Sequence, residues 1–130
     1  MKISIVTVVY NRVGTIEHAI QSVKSQSYPH IEHVIQDGGS TDGTLDVIRD
    51  CSNSTACLVS ERDGGIYDAI NRGITRATGE VVGLMHSDDF FAHDDVIQRV
   101  ASAMKDSRVD GVYGDLQYVA ADDPGRVVRH

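Results

Sequence analysis

The chain has 130 residues, 41% of them hydrophobic and 24% charged, with a formal net charge of −7. This is the size and composition of one globular domain, long enough to bury a core without staples. The acidic balance argues against a general nucleic-acid binder, which needs a basic footprint, and no apolar run approaches the roughly 20 residues of a transmembrane span.

Met1-Lys2 leads straight into a strand-like run, which reads as the start of a chain without a signal peptide. Ile3 to Val9 is apolar and β-branched, and predicts a fully buried strand of the kind found in parallel sheets. Asn11 is placed to cap the helix that follows. Ile16, Ala19, Ile20 and Val23 fall at helical spacing, so Val13 to about Gln26 reads as an amphipathic helix, ended at Tyr28-Pro29. Ile31 to Gln36 is a second strand. It runs into the tight loop Asp37-Gly38-Gly39-Ser40 and a helix that starts at Ser40 or Thr41. Cys57 to Ser60 is a third strand. Ile66 to Ala77 is a helix with Ile66, Ala69, Ile70 and Ile74 on one face and Gly79 as its C′ residue. Val81 to Met85 is a fourth strand, Asp94 to Met104 a helix, and Gly111 to Tyr113 and Leu116 to Val119 are further strands. Ala121 to His130 reads as a loose polar tail. Cys51 and Cys57 match neither a Cys-x-x-Cys pair nor zinc spacing, and read as thiols of a reducing compartment.

Strands alternating with helices define an α/β fold: a mostly parallel central sheet with helices on both faces. Ligands of such sheets bind beyond the carboxyl ends of the strands. Four polar clusters fall at those ends: Tyr10-Asn11, Asp37-Gly38-Gly39-Ser40, Glu61-Arg62-Asp63-Gly64-Gly65 and Asp88-Asp89. The acidic pair has two readings. Asp is a preferred helix cap. Two carboxylates at a strand mouth are also the hard oxygen ligands that Mg²⁺ or Mn²⁺ takes together with substrate phosphates. Company with the other three clusters favours the ligand reading. The first turn lacks Gly-x-Gly-x-x-Gly and the chain lacks a Walker loop, so a cation must carry the phosphate load. Asp37 is positioned to accept from a base or ribose. Asp68 shares a helix face with Asn71 and Arg72 and joins Asp63 in a polar patch beside the crevice. His86 precedes the acidic pair as a ligand or a supporting group; His18, His30, His33, His93 and His130 read as surface or loop residues. No Ser-His-Asp or Cys-His arrangement appears.

Ile5-Val6-Thr7-Val8-Val9-Tyr10-Asn11, Asp37-Gly38-Gly39-Ser40-Thr41-Asp42-Gly43-Thr44, Asn71-Arg72-Gly73 and Leu84-Met85-His86-Ser87-Asp88-Asp89 resemble the inverting family 2 glycosyltransferases, with a Rossmann-like GT-A fold. Ser60 to Ile74 is similar to a bacterial subgroup that builds O-antigen, capsule and exopolysaccharide. The resemblance implies a nucleotide-sugar donor, UDP-linked for preference, and a glycan or lipid-linked acceptor. It implies Asp89 as ligand of Mn²⁺ or Mg²⁺, Asp88 at the ribose or the metal's water shell, Val9 and Tyr10 against the base, and Asp37 as a base reader. The sequence departs from the family pattern in three places. Gly38 stands where a second acid is usual, and His86 opens the motif usually written Asp-x-Asp-Asp. The base normally found in a C-terminal acceptor half is not visible, for Asp115, Asp122 and Asp123 do not match its motif.

Residues 1–120 are therefore expected to be the donor-binding GT-A domain, residues 121–130 a polar tail, and the acceptor half absent. The catalytic base is unassigned. The competing readings are a non-catalytic nucleotide-sugar-binding module and a sugar nucleotidyltransferase, which would need a glycine-rich loop and a Lys after the first strand. Neither is present. The resemblance implies a cytoplasmic protein working at the inner face of the plasma membrane. An apolar face left exposed would favour a homodimer.

Overall fold

Seven consecutive buried residues, Ile3–Val9, form the central strand β1, as their unbroken apolar run predicts. The computed structural model describes residues 1–51, 56–105, 118–120 and 123–129. After β1 come α1 (Ile16–Lys24), β2 (Ile31–Asp37), α2 (Thr44–Cys51), β3 (Ala56–Ser60), α3 (Ile66–Arg76), β4 (Val81–Leu84), α4 (Val96–Met104), β5 (Tyr118–Ala120) and β6 (Asp123–Arg129).

The first four strands form one sheet in the order β3-β2-β1-β4. Every pair is parallel: β1 with β2 from Ile3↔Ile31 to Val9↔Asp37, β1 with β4 from Ile3↔Val81 to Val6↔Leu84, and β2 with β3 from His33↔Ala56 to Asp37↔Ser60. Val9, Asp37 and Ser60 therefore stand in one row where the strands end. Alternate residues of β1 face opposite sides. Ile3, Ile5 and Val9 pack with residues of α1, α2 and α4, including Ala19, Ile20, Ile48 and Ile97, while Val6 and Val8 pack with Val34 and with Ala69 of α3. Helices thus cover both faces, as expected of the α/β class.

Helix α3 lies on the sheet through its smallest residues. Ala69 and Gly73 are its buried positions, and a Cβ at Gly73 would stand 2.5 Å from Val6 Cγ1. Ile66 and Ile74, expected on the inner face, are 50% and 41% exposed. Close approach at Gly73 turns the helix so that Ala69, Gly73 and the half-buried Ile70 meet the strands, while Ile66 and Ile74 do not. Gly79 is not a C′ residue. The C-cap is Ala77, in extended conformation, and a Cβ at Gly79 would come within 2.7 Å of Ser4 Oγ and 2.8 Å of Ser4 N. Gly79 lets the chain cross close to the start of β1.

Other expectations are corrected at element ends. α1, α2 and α4 begin a few residues later than the sequence suggests. The segment read as a loose tail contains β6, antiparallel to β5 with Tyr118↔Arg129 and Val119↔Val127 as pairs; β-branched valines and a partner strand outweigh its polar composition. The strand expected at Gly111 to Tyr113 lies outside the described residues. Cys51 is buried and Cys57 exposed, both as free thiols. His33 is no surface residue: it is 4% exposed, with Nε2 2.8 Å from Thr7 Oγ1. Among the described residues no helix is long and apolar enough to cross a membrane.

Candidate functional site

The loops that leave the carboxyl ends of β1 and β2 are tied to each other by side chains. Asn11 adopts φ 48, a left-handed conformation that asparagine tolerates. Its N–H donates to Ser40 Oγ and its Oδ1 accepts from Thr41 N–H, both at 2.8 Å. Arg12 N–H donates to Thr44 Oγ1 at 2.9 Å, and Val13 N–H to Asp42 Oδ2 at 3.3 Å. Asn11, expected to cap α1, clasps the neighbouring loop instead; the N-cap position is Thr15, with no side-chain cap bond.

Asp37 is fully buried. Its Oδ2 accepts from Gly39 N–H, Ser40 N–H and Ser60 Oγ, each at 2.8 Å, and its Oδ1 accepts from Ser40 Oγ at 2.5 Å. Three bonds fall on Oδ2 and one on Oδ1, and with them Asp37 builds the loop. Val9 is likewise inward: its side chain packs with Ile16, Ile20, Ile35 and Ile48, and its carbonyl accepts from Gly38 N–H at 2.9 Å.

Tyr10 remains 57% exposed at the head of the turn. A Cβ at Gly38 would stand 3.0 Å from Asp63 Oδ2 and 3.5 Å from Tyr10 Cδ1. Glycine at 38 therefore lets the Asp63 carboxylate and the Tyr10 ring close over the end of β2, where a side chain would crowd Asp63. Asp63 Oδ1 accepts from Gly65 N–H at 3.0 Å, and Oδ2 lies against Gly38.

Behind Asp63 the start of α3 is braced by charge. Asp68 Oδ2 accepts from Gly64 N–H at 2.7 Å and from Arg72 Nε at 3.0 Å. Arg72 Nη1 meets Glu61 Oε1 at 2.9 Å, and Gln36 Nε2 donates to the same oxygen at 3.2 Å. The bond from Arg72 holds the Glu61 carboxyl below its usual range, and Glu61 in turn holds the Arg72 guanidinium above its own. At this exposure solvent screens the pair, so its effect is orientation: the guanidinium is fixed at the rim. Asn71 is exposed beside it. Sequence spacing had no signal for Glu61 as the partner of Arg72, because the two lie on different elements.

Asp88 and Asp89 are exposed in a turn closed by Asp89 N–H donating to His86 O at 3.0 Å. His86 is exposed and Ser87 buried. Among the described residues no three His, Cys, Asp or Glu side chains stand together as a metal cage. Two exposed carboxylates fit a cation that takes one or two protein oxygens and completes its shell with phosphate and water, as Mg²⁺ and Mn²⁺ do. They do not fit a closed structural site.

The chain matches the model of glycosyl transferase family 2 over residues 4–129 and belongs to that family. An uncharacterised glycosyltransferase of Mycobacterium tuberculosis is 36% identical over 103 residues, covering 78% of this chain and 39% of the relative. A mannosyltransferase from Pyrobaculum calidifontis, solved with GDP-Man and Mn²⁺, is 27% identical with a TM-score of 0.77, covering 83% of this chain and 33% of its own. Glucosyl-3-phosphoglycerate synthase from Mycobacterium tuberculosis, solved with Mn²⁺, UDP and glucosyl-3-phosphoglycerate, is 25% identical with a TM-score of 0.65, covering 79% and 39%. The fold is GT-A-like, and the chain spans 39% of the length of that curated relative.

Proposed function

We propose that this chain is the donor-binding part of a metal-dependent, inverting glycosyltransferase that takes a UDP-sugar and acts on a glycan or lipid-linked acceptor in bacterial surface polysaccharide synthesis. The observation that carries the reading is the meeting of exposed Tyr10 and the Asp63 carboxylate over Gly38, on the strand-end edge that also carries Asp88-Asp89. An aromatic ring and one free carboxylate oxygen suit a pyrimidine: the ring covers its face, and the oxygen accepts its single imide N–H. In this reading Tyr10 and Asp63 hold the base while Asn11 and Asp37 keep the two loops in place. Arg72, steadied by Asp68 and flanked by Asn71, faces the donor's anionic or hydroxyl groups. Asp88 and Asp89 would hold Mn²⁺ or Mg²⁺, which would supply Lewis-acid stabilisation of the leaving diphosphate. Two carboxylates suffice only when the donor's phosphates complete the shell, which couples cation and nucleotide. Attack by an acceptor hydroxyl at the anomeric carbon needs a base that no described residue is assigned to provide. The site of action is the cytoplasmic face of the plasma membrane.

Calorimetric titration of UDP, dTDP and GDP, each with and without Mn²⁺, tests the reading. UDP is expected to bind best, Mn²⁺ to strengthen it at least tenfold, by rough analogy with the cost of losing a ligand's support, and Asp89→Ala to remove that gain. UDP binding indifferent to both Mn²⁺ and Asp89→Ala overturns the metal assignment.

A further inference from the structure

We propose that one face of α1 is the rail that positions the acidic turn, with His18 as its positioning residue closest to the carboxylates; the inference rests on the proposed metal role of Asp88 and Asp89. Three residues four apart, His18, Ser22 and Gln26, meet the segment after the acidic pair at successive points. The His18 ring stacks on Phe90 with centroids 4.1 Å apart and planes at 16°. Ser22 Oγ accepts from Phe91 N–H at 3.1 Å while donating to Ala19 O at 2.8 Å. Gln26 Nε2 donates to His93 O at 2.8 Å, and its Oε1 accepts from Ile97 N–H at 2.9 Å. Ser27 N–H adds a bond to Asp94 O at 2.7 Å. Residues four apart share one helix face, so the contacts form a single stripe that runs from α1 just past its end.

The turn is anchored elsewhere only on its upstream side, where Met85 N–H donates to Val6 O at 2.9 Å among the described backbone bonds. Asp88 and Asp89 sit between that anchor and the stripe. Asp89 is one residue from Phe90, whose ring is fixed by His18. The same helix starts at the turn that carries Tyr10, and Arg12 O accepts from Ile16 N–H at 3.0 Å. One rigid element therefore reaches both the proposed base site at Tyr10 and the proposed metal carboxylates, and sets the spacing of a diphosphate between them. His18 is exposed, so its stack adds little to the core. Its value lies in the place where it holds Phe90.

The test uses the 130-residue chain and its variants His18→Ala and His18→Phe. Amide hydrogen exchange is followed across residues 86–91, and Mn²⁺ binding in the presence of UDP is followed by the paramagnetic signal of free Mn²⁺. His18→Ala is expected to speed exchange in the turn and to weaken Mn²⁺ binding roughly three- to tenfold, the scale of one aromatic stack. The melting temperature and metal-free UDP binding are expected to stay at the wild-type values. His18→Phe, which keeps a ring to stack, is expected to restore both readouts. Wild-type Mn²⁺ binding that His18→Ala leaves intact, or a loss shared equally by metal-free UDP, overturns the rail. A wild-type chain that binds no Mn²⁺ with UDP overturns the metal reading itself, and the positioning role with it.

Discussion

Burial of His33 against the inner face of the sheet makes a charged imidazole costly, and its pKa is pushed down to about 4 from 6.5. The folded chain keeps the ring neutral over a range where the unfolded chain takes up a proton. Stability from this source is therefore complete above pH 6.5 and is lost as pH falls from 6.5 to about 4. The loss across that window is about 3 kcal/mol, an order-of-magnitude figure. Glu32 extends the decline. Burial raises its pKa, but bonds from Thr78 N–H, Ser4 Oγ and Thr78 Oγ1, with Lys2 nearby, outweigh it and bring the carboxyl to about 2 from 4.5. That stability is present above pH 4.5 and lost below it. Urea unfolding at pH 7, 5.5 and 4 is expected to show a falling free energy, with the slope between 6.5 and 4 reduced in His33→Gln, whose amide can still meet Thr7. A flat profile from pH 7 to 4.5 would contradict the burial argument.

At the scale of elements, α3 rests on Val6 through Gly73 and carries Asp68 and Arg72 to the rim. Gly73→Ala places a methyl 2.5 Å from Val6 Cγ1, so the helix must lift or Val6 must move. The expected cost is about 1–3 kcal/mol, read as a lower urea midpoint. UDP binding is expected to weaken beyond what the midpoint shift explains, because Asp68 and Gly64 move with the helix. An unchanged midpoint would mean that α3 has slack over the sheet. The strands and helices themselves were legible from residue spacing: β1 as an unbroken apolar run, α1 from Ile16, Ala19, Ile20 and Val23. Helix starts were not, and the reason is specific. Asn11 looks like a cap for α1, but it spends its oxygen on Thr41 N–H of the neighbouring loop, while Asp42 bonds both Thr44 N–H at the start of α2 and Val13 N–H of the other loop. The bonds that join the two loops, between residues 30 and 29 apart in sequence, leave no local trace. The same limit hid the meeting of Tyr10 and Asp63 over Gly38, which only the fold shows. The rail of His18, Ser22 and Gln26 was invisible too, since its partners follow β4.

For the whole molecule the net charge of −7 sets how an anionic donor is received. A nucleotide diphosphate approaches an acidic chain against a repulsive field, and the proposed cation reverses the local sign at Asp88-Asp89. Salt should therefore act in opposite senses in the two states. Without metal, raising NaCl from about 50 to about 300 mM screens the repulsion and is expected to leave UDP affinity unchanged or slightly higher. With Mn²⁺ the same change screens an attraction and is expected to lower it. Arg72 does not reverse the first expectation, because its charge is already matched by Glu61 and Asp68 at 2.9 and 3.0 Å. Calorimetric titrations of UDP at the two salt concentrations, each with Mn²⁺ and with chelator, separate the cases. Affinity that falls with salt in the presence of chelator would mean that arginines bear the diphosphate. The carboxylate pair would then lose its claim to the phosphate load.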